Sequence, residues 1–426
     1  MLPSYRACAK PWVWTDRMLT ALEQGVKGGK WFSLIDKVYS RRTIAEAALW
    51  VTRDKRKASG VDHVSPEQFE ERLPEETEKL ARQLKDGTYR PQAIRRVYIP
   101  KPGSQEKRPL GIPTIRDRAA QAALRDVIEP IFEKDFAEHS YGFRPQRGCK
   151  DALRRVDHLL KKGYTHIVDV DLKGYFDTIP HDRLIARVAK KISDSRVLQL
   201  IQMFLTQGIL EGLSEWTPEQ GTPQGAIISP LLSNIYLDPL DHLMAEQGFE
   251  MVRYADDFVI LCRSREEAEQ ALSIVREWTE AEGLTIHPTK TKITTHRDGF
   301  DFLGYHFRQG KKMYRFPRKK SLKKLRDSIR AKTRRANGRS LAVIIDDVNR
   351  TLQGWFEYYK HCHYTVFEDV DGWVRMRLRS ILRKRRKRRG RGRGLDHQRW
   401  PNAFFRAQGL FDLTTAFKLA RQSSQR

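Results

Sequence analysis

Between Met251 and Leu261 the chain runs apolar, acidic, apolar: Met251-Val252-Arg253-Tyr254-Ala255-Asp256-Asp257-Phe258-Val259-Ile260-Leu261. Two short apolar segments around adjacent carboxylates predict a β-hairpin with the acids at its tip. Neighbours on a regular strand point to opposite faces, so both acids can serve one site only if the chain turns there. Upstream, in the segment Thr165 to Asp177, Val168, Val170 and Leu172 alternate with Asp169 and Asp171. This period of two predicts a strand with one apolar and one acidic face. It places both aspartates on the same face and does not choose between them. Helical spacing runs from Glu266 to Glu282 through Ala268, Ala271, Leu272, Val275 and Trp278. It recurs in Leu322, Leu325 and Ile329 behind Ser321, an N-cap candidate. A third stripe, Ile345, Val348, Leu352, Trp355, Phe356 and Tyr359, reads as core rather than as a cofactor site.

Paired carboxylates in a half-buried hairpin are unfavourable unless cations compensate them. A two-metal phosphoryl-transfer site would supply those cations. The competing reading of the tip is an exposed acidic turn. For Asp169 and Asp171 it is a solvated acidic face, or a cap for a helix suggested after Pro180.

Composition changes the picture through charge. The 426 residues suffice for two or three domains with substantial cores. A net charge of +27 and a pI near 10.0 imply a polyanionic partner. An anionic membrane would also attract such a chain, but no apolar run of spanning length and no signal-peptide core near Met1 is present. The expectation is a soluble, cytoplasmic protein with no membrane partner. Cys8, Cys149, Cys262 and Cys362 are scattered and read as free thiols in a reducing compartment. His361-Cys362-His363 lies on an expected helix, where consecutive side chains diverge too widely to ligate one ion, so no zinc is expected. From Arg315 to Arg339 the one acid among many cations is Asp327, giving an amphipathic helix with a cationic outer face. The run from Arg383 to Gly394 is nearly all charge and glycine; it is expected to order only on RNA.

An ordered series of motifs resembles the group II intron reverse transcriptase/maturase family along nearly the whole sequence. Val97 to Pro102 and Lys107 to Pro113 resemble its fingers segment, and Ser140-Tyr141-Gly142-Phe143-Arg144-Pro145 its next block. Asp169 to Phe176 resembles the first palm motif. Gly221-Thr222-Pro223-Gln224-Gly225 with Ile228 to Leu232 resembles the second, and Tyr254 to Asp257 the metal motif. Phe302-Leu303-Gly304-Tyr305 resembles the primer-grip turn. Gly354-Trp355-Phe356, Gly372-Trp373-Val374-Arg375 and Trp400 to Phe405 resemble the maturase region.

The resemblance implies roles. The family's aromatic gate lies five residues after its metal-binding aspartate; Phe176 is five after Asp171, which makes Asp171 the ligand and Asp169 the neighbour behind it. Asp171, Asp256 and Asp257 would then hold two Mg²⁺ ions, with Mn²⁺ a possible substitute, and Leu172 would offer its backbone carbonyl. Lys101 and Arg108 would contact the triphosphate. Phe176 would exclude a 2′-hydroxyl, Gln224 would touch the incoming nucleotide beside a permissive Gly225, and Lys290 would sit near the pyrophosphate. Leu303 and Gly304 would form the primer grip. Lys319, Lys320, Lys323, Lys324, Arg334, Arg335, Arg383, Lys384, Arg385 and Arg386 are the candidate RNA contacts.

The implied fold class is α+β. It is a right-hand polymerase with an antiparallel palm sheet, followed by a helical thumb/maturase domain. The expected organisation is a mainly helical N-terminal extension over 1–52, fingers and palm over 53–310, and the thumb/maturase region over 311–426. The implied function is RNA-directed DNA synthesis joined to maturase action on group II intron RNA. RNA template, DNA primer or target DNA and deoxynucleotides would be the partners. The short C-terminal region, without cysteines for a zinc-bearing nuclease, places second-strand cleavage outside this expectation. The alternatives are a related polymerase repurposed for defence or repair without a cognate intron, and an RNA-binding splicing factor with a silent polymerase.

Overall fold

The computed structural model describes residues 3–100 and 107–423. These divide into two compact units, 3–100 with 107–294, and 295–423. The division falls ahead of the 310/311 boundary drawn from sequence, because the strands over 300–317 form a sheet of their own.

In the first unit, β1 (Ile94–Pro100) pairs antiparallel with β2 (Lys107–Ile112). It also pairs parallel with β4 (Ile209–Glu211), which turns back into β5 (Ser214–Trp216). A second sheet has the order β6-β7-β3-β8, built from β6 (Glu250–Tyr254), β7 (Asp257–Cys262), β3 (His166–Asp171) and β8 (Lys292–Thr295). Its β6/β7 and β7/β3 pairs are antiparallel. Val168 and Val170 of β3 and Phe258 and Ile260 of β7 face the core, as alternation requires. The strand expected to run through Leu172 ends at Asp171: Leu172 makes an isolated bridge to Ile286, and Tyr175–Thr178 is already a short helix. Helix Ser229–Glu246 and helix Ile115–Glu133 carry much of the core, and both are buried along most of their length. Residues 3–52 join this core: Trp14 Nε1 donates to the Asp126 carbonyl (3.1 Å), and the Asp194 carboxylate accepts from the amides of Leu34 and Ile35.

In the second unit, β9 (Phe300–Phe302), β10 (Tyr305–Gln309) and β11 (Met313–Pro317) form an antiparallel sheet. Helices Lys319–Lys332, Leu341–Tyr359 and Thr365–Arg385 follow. The first begins two residues before Ser321, which lies inside its first turn. The chain leaves β11 at Pro317 and enters the helix directly, with the Arg318 amide held by the Gly304 carbonyl at 2.9 Å. His361-Cys362-His363 lies in the link between two helices, not on a helix as expected. The His363 amide is tied to the Arg315 carbonyl there. The fold class is α+β with a helical C-terminal region, as the sequence leads one to expect. No helix of the described residues is long and apolar enough to cross a membrane.

Candidate active site

The β6–β7 turn carries the paired acids. Tyr254 and Asp257 are the last cross-strand partners, leaving Ala255 and Asp256 as a two-residue connection. Ala255 takes the left-handed conformation (φ 58°) that such a tight hairpin needs. Across the β7/β3 pair, Asp171 is the direct partner of Asp257, whereas Asp169 faces Val259 two pairs further from the turn. Directly opposed side chains share a face and lie close together. The third carboxyl, Asp256, is half-buried, and burial raises its pKa, with the charge of Asp171 adding to the rise. Arg108 on β2 and Arg253 act in the opposite sense.

Asp171 is pinned by its backbone. Its amide donates to Thr291 Oγ1 (3.2 Å), and its carbonyl accepts from the His287 amide (2.7 Å). Lys290 Nζ reaches both carboxylate oxygens, at 3.2 and 3.3 Å. Among the described residues no three His, Cys, Asp or Glu side chains form a ready-made metal cage. Asp171, Asp256 and Asp257 instead make an open, oxygen-only set at the end of two strands. That donor set fits Mg²⁺, which keeps water and substrate phosphate in its shell rather than an all-protein cage.

Beside the acids, Tyr175 points inward and its hydroxyl donates to the Ser233 carbonyl (2.7 Å), while Phe176 remains half-buried. Phe176 lines a cleft of about 650 Å³ together with Arg96, Gly111, Asp177, Trp216 and Gln224. The Gly221–Gly225 segment is stitched to both walls. The Thr222 amide donates to the Phe176 carbonyl (2.6 Å), and the Gly111 amide to the Gln224 carbonyl (2.6 Å). Gly225 sits at φ 109°, and any Cβ there would strike the Gly111 carbonyl. Gln224 Nε2 donates to Asp177 (3.3 Å), which turns the amide oxygen of Gln224 away from that carboxylate. Arg108 is exposed on β2, and Lys101 lies outside the described residues.

Sequence reasoning missed what holds the turn. Arg253, on β6, is fully buried. Its Nε donates to both oxygens of Asp241 (2.8 and 2.9 Å). Its Nη1 donates to Asn234 Oδ1 and to the Ala255 carbonyl, each at 3.0 Å. Burial works against the guanidinium, but the charge and hydrogen bonds of Asp241 outweigh it and leave the pKa raised. Asn234 Nδ2 in turn donates to the Gly142 carbonyl (2.8 Å). Gly142 presses so closely on the turn that a Cβ would lie 2.9 Å from the Tyr254 carbonyl carbon. The Ser140–Pro145 block therefore braces the hairpin, and Ser140 bridges to Arg253. A signal was present: Asn234 and Asp241 are polar positions seven apart in a largely apolar helix, and so on one face, and Arg253 interrupts an apolar strand.

The remaining candidates lie in the second unit. Leu303 (φ 46°) and Gly304 (φ 82°) form the β9–β10 turn, and Tyr358 Oη donates to the Leu303 carbonyl (2.7 Å). Lys319, Lys320, Lys323, Lys324, Arg334, Arg335, Lys384, Arg385 and Arg386 are exposed. Arg383 is not: it pairs with Asp396 and donates to the Arg389 carbonyl. Helix Thr365–Arg385 extends into the charged run that begins at Arg383, and that ion pair closes the following loop.

Two protein families match the chain: reverse transcriptase (RNA-dependent DNA polymerase) over residues 99–307, and the group II intron maturase-specific domain over 322–400. The chain is 46% identical over 172 residues to the group II intron-encoded protein LtrA of Lactococcus lactis subsp. cremoris, covering 40% of this chain and 28% of LtrA. It is 35% identical over 297 residues to protein YkfC of Escherichia coli (strain K12), covering 60% of this chain and 77% of YkfC. A 91 kDa protein in the cob intron of Schizosaccharomyces pombe is 34% identical over 294 residues, covering 55% of this chain and 36% of that protein. The match to LtrA thus spans under a third of that relative's length.

Proposed function

The chain belongs to the reverse transcriptases that carry a group II intron maturase domain, and from that membership we propose an RNA-directed DNA polymerase that also binds group II intron RNA and assists its splicing. The observation that carries the polymerase half is the placement of Asp171 directly opposite Asp257, with Asp256 in the adjoining turn. Three carboxylates from two strands would hold two Mg²⁺ ions, with Mn²⁺ as a substitute and the Leu172 carbonyl as a further oxygen. The ions supply activation of the primer 3′-hydroxyl and stabilisation of the leaving pyrophosphate.

The protein's own groups do the rest. Arg108, with Lys101, would bind the triphosphate of the deoxynucleotide. Phe176 would lie under its sugar and leave no room for a 2′-hydroxyl, and Gln224, which lines the same cleft, would also contact the nucleotide. Lys290, which pairs with Asp171, would contact the pyrophosphate. The Leu303–Gly304 turn would hold the primer end. The exposed cations of the second unit would grip intron RNA; the splicing chemistry would belong to the RNA, and the copied intron would be joined to target DNA.

The test is primer extension on an RNA template. Asp171→Asn is expected to abolish synthesis and Asp169→Asn to retain most of it. The reverse result would move the ligand two residues and overturn the site. For the maturase half, the chain is expected to accelerate splicing of its surrounding intron at low Mg²⁺. The absence of such an intron, or of any acceleration, would overturn that half alone.

A further inference from the structure

One cluster of the second unit has no part in the roles above. Trp373, half-exposed on helix Thr365–Arg385, is ringed by three guanidiniums. The central carbons of Arg326, Arg330 and Arg377 lie 6.0, 5.8 and 5.9 Å from its ring centroid. Arg326 and Arg330 are four apart on helix Lys319–Lys332, and Trp373 and Arg377 are four apart on its neighbour, so each pair shares a face. Arg377 is fastened, with Nε donating to Thr333 Oγ1 (3.0 Å) and Nη2 to the Thr333 carbonyl (2.8 Å). Asp327 neutralises Arg330 at 2.6 Å. Among the described residues neither Arg326 nor Arg377 has an ion-pair partner, and the Nε of Arg326 is buried without any hydrogen-bond partner.

Cations gathered this closely repel one another, and the buried Arg144 and Arg253 have their charge met by Glu133 and Asp241. Here an aromatic ring stands where an acid would be expected. Guanidinium forks match phosphate oxygens, and an exposed indole offers a stacking face to an unpaired base. We propose that Trp373, Arg326, Arg330 and Arg377 form a discrete RNA-binding site that takes a backbone phosphate of an unpaired RNA segment with its base against Trp373. The choice of RNA over DNA rests on the intron-RNA reading given above. The site differs from the lysine-rich outer face of helix Lys319–Lys332, which offers point charges without a ring.

The experiment follows fluorescence anisotropy of a labelled RNA hairpin with an unpaired loop, a fully paired RNA, and DNA of the loop sequence, over a range of KCl concentrations. Trp373→Leu is expected to weaken loop-RNA binding about tenfold, with an unchanged salt slope because no charge is lost. Trp373→Phe is expected to keep most of the affinity. Arg326→Gln and Arg330→Gln are each expected to reduce the slope by about 0.7. Melting temperatures report whether each variant folds, and the arginine variants carry the test if Trp373→Leu does not. Three results would overturn the proposal: loop affinity unchanged in the folded Trp373→Leu and arginine variants, equal losses on paired RNA, or equal losses on DNA. Primer extension by the same variants is expected to match wild type. A wild-type protein that does not extend a primer would instead refute the polymerase reading and leave the binding result standing.

Discussion

Two groups of arginines, one in each unit, work in opposite ways. In the first, Arg253 with Asp241 and Arg144 with Glu133 are nearly solvent-free pairs that flank one hairpin. Arg144 donates to Glu133 and to the carbonyls of Ala137 and Ser140, so it shapes the block that braces the Asp256–Asp257 turn. In the second, most of the candidate RNA contacts reach into solvent. A buried guanidinium must have its charge and its donors satisfied within the protein, so it acts as a fixed fork that holds backbone in place. An exposed one keeps its donors available for a polyanion. Net charge, which adds both kinds together, says that a polyanionic partner exists but not which cations face it.

The largest expected effect comes from breaking the first unit alone. Replacing Asp256 and Asp257 by Ala is expected to lower DNA synthesis by about 10³-fold or more, since metal stabilisation of the transition state is worth several kcal/mol. RNA affinity measured on the same protein is expected to stay at the wild-type value. Loss of both together would mean that the two units do not divide the work.

Arg253→Ala leaves Asp241 buried and uncompensated, which is expected to cost about 3–5 kcal/mol in urea denaturation. Arg253→Met with Asp241→Leu is expected to recover most of that stability. It still leaves the Ala255 carbonyl unheld, so primer extension is expected to remain depressed. Full recovery of synthesis by the double variant would reduce Arg253 to a packing role.

Phe176→Ala is expected to lower the preference for deoxynucleotides over ribonucleotides by about 10- to 100-fold, measured as the ratio of kcat/KM values. Relaxed selection in Tyr175→Ala with unchanged selection in Phe176→Ala would shift the assignment by one residue, against the burial of Tyr175.

The smallest effect sharpens the second half of the comparison. Lys384, Arg385 and Arg386 changed to Gln are expected to flatten the salt dependence of RNA binding by about 2 and to weaken splicing at low Mg²⁺, with primer extension on a short template less affected. The same change at Arg383 is expected to act mainly on stability, because that side chain holds Asp396.

Much of the local structure was legible from spacing. The apolar segments around Asp256 and Asp257 form the expected hairpin, and the alternation of Val168 and Val170 forms the expected strand. Helix Arg265–Ala281 and helix Leu341–Tyr359 lie where their stripes place them. The misreadings share a cause. Ser321 has the chemistry of an N-cap, but the preceding strand and the Gly304 carbonyl start the helix earlier. His361-Cys362-His363 continues a helical stripe, but the Arg315 carbonyl holds the His363 amide in a link between two helices. In each case a partner distant in sequence or outside the periodic window overrode a sound local preference.

Sequence by itself determined which residues could carry chemistry and the elements that bear them, because strand and helix periodicity depend on neighbours a few positions away. From periodicity alone, Asp169 and Asp171 were equivalent. Only the tertiary structure sets Asp171 opposite Asp257 and Asp169 opposite Val259, since strand register depends on pairing between segments about ninety residues apart. Only the tertiary structure seats Arg253 on Asp241 beneath the turn and gathers three arginines around Trp373. Whether an arginine is held inside by an acid or left facing a ring depends on which distant side chain arrives beside it, and no local pattern encodes that.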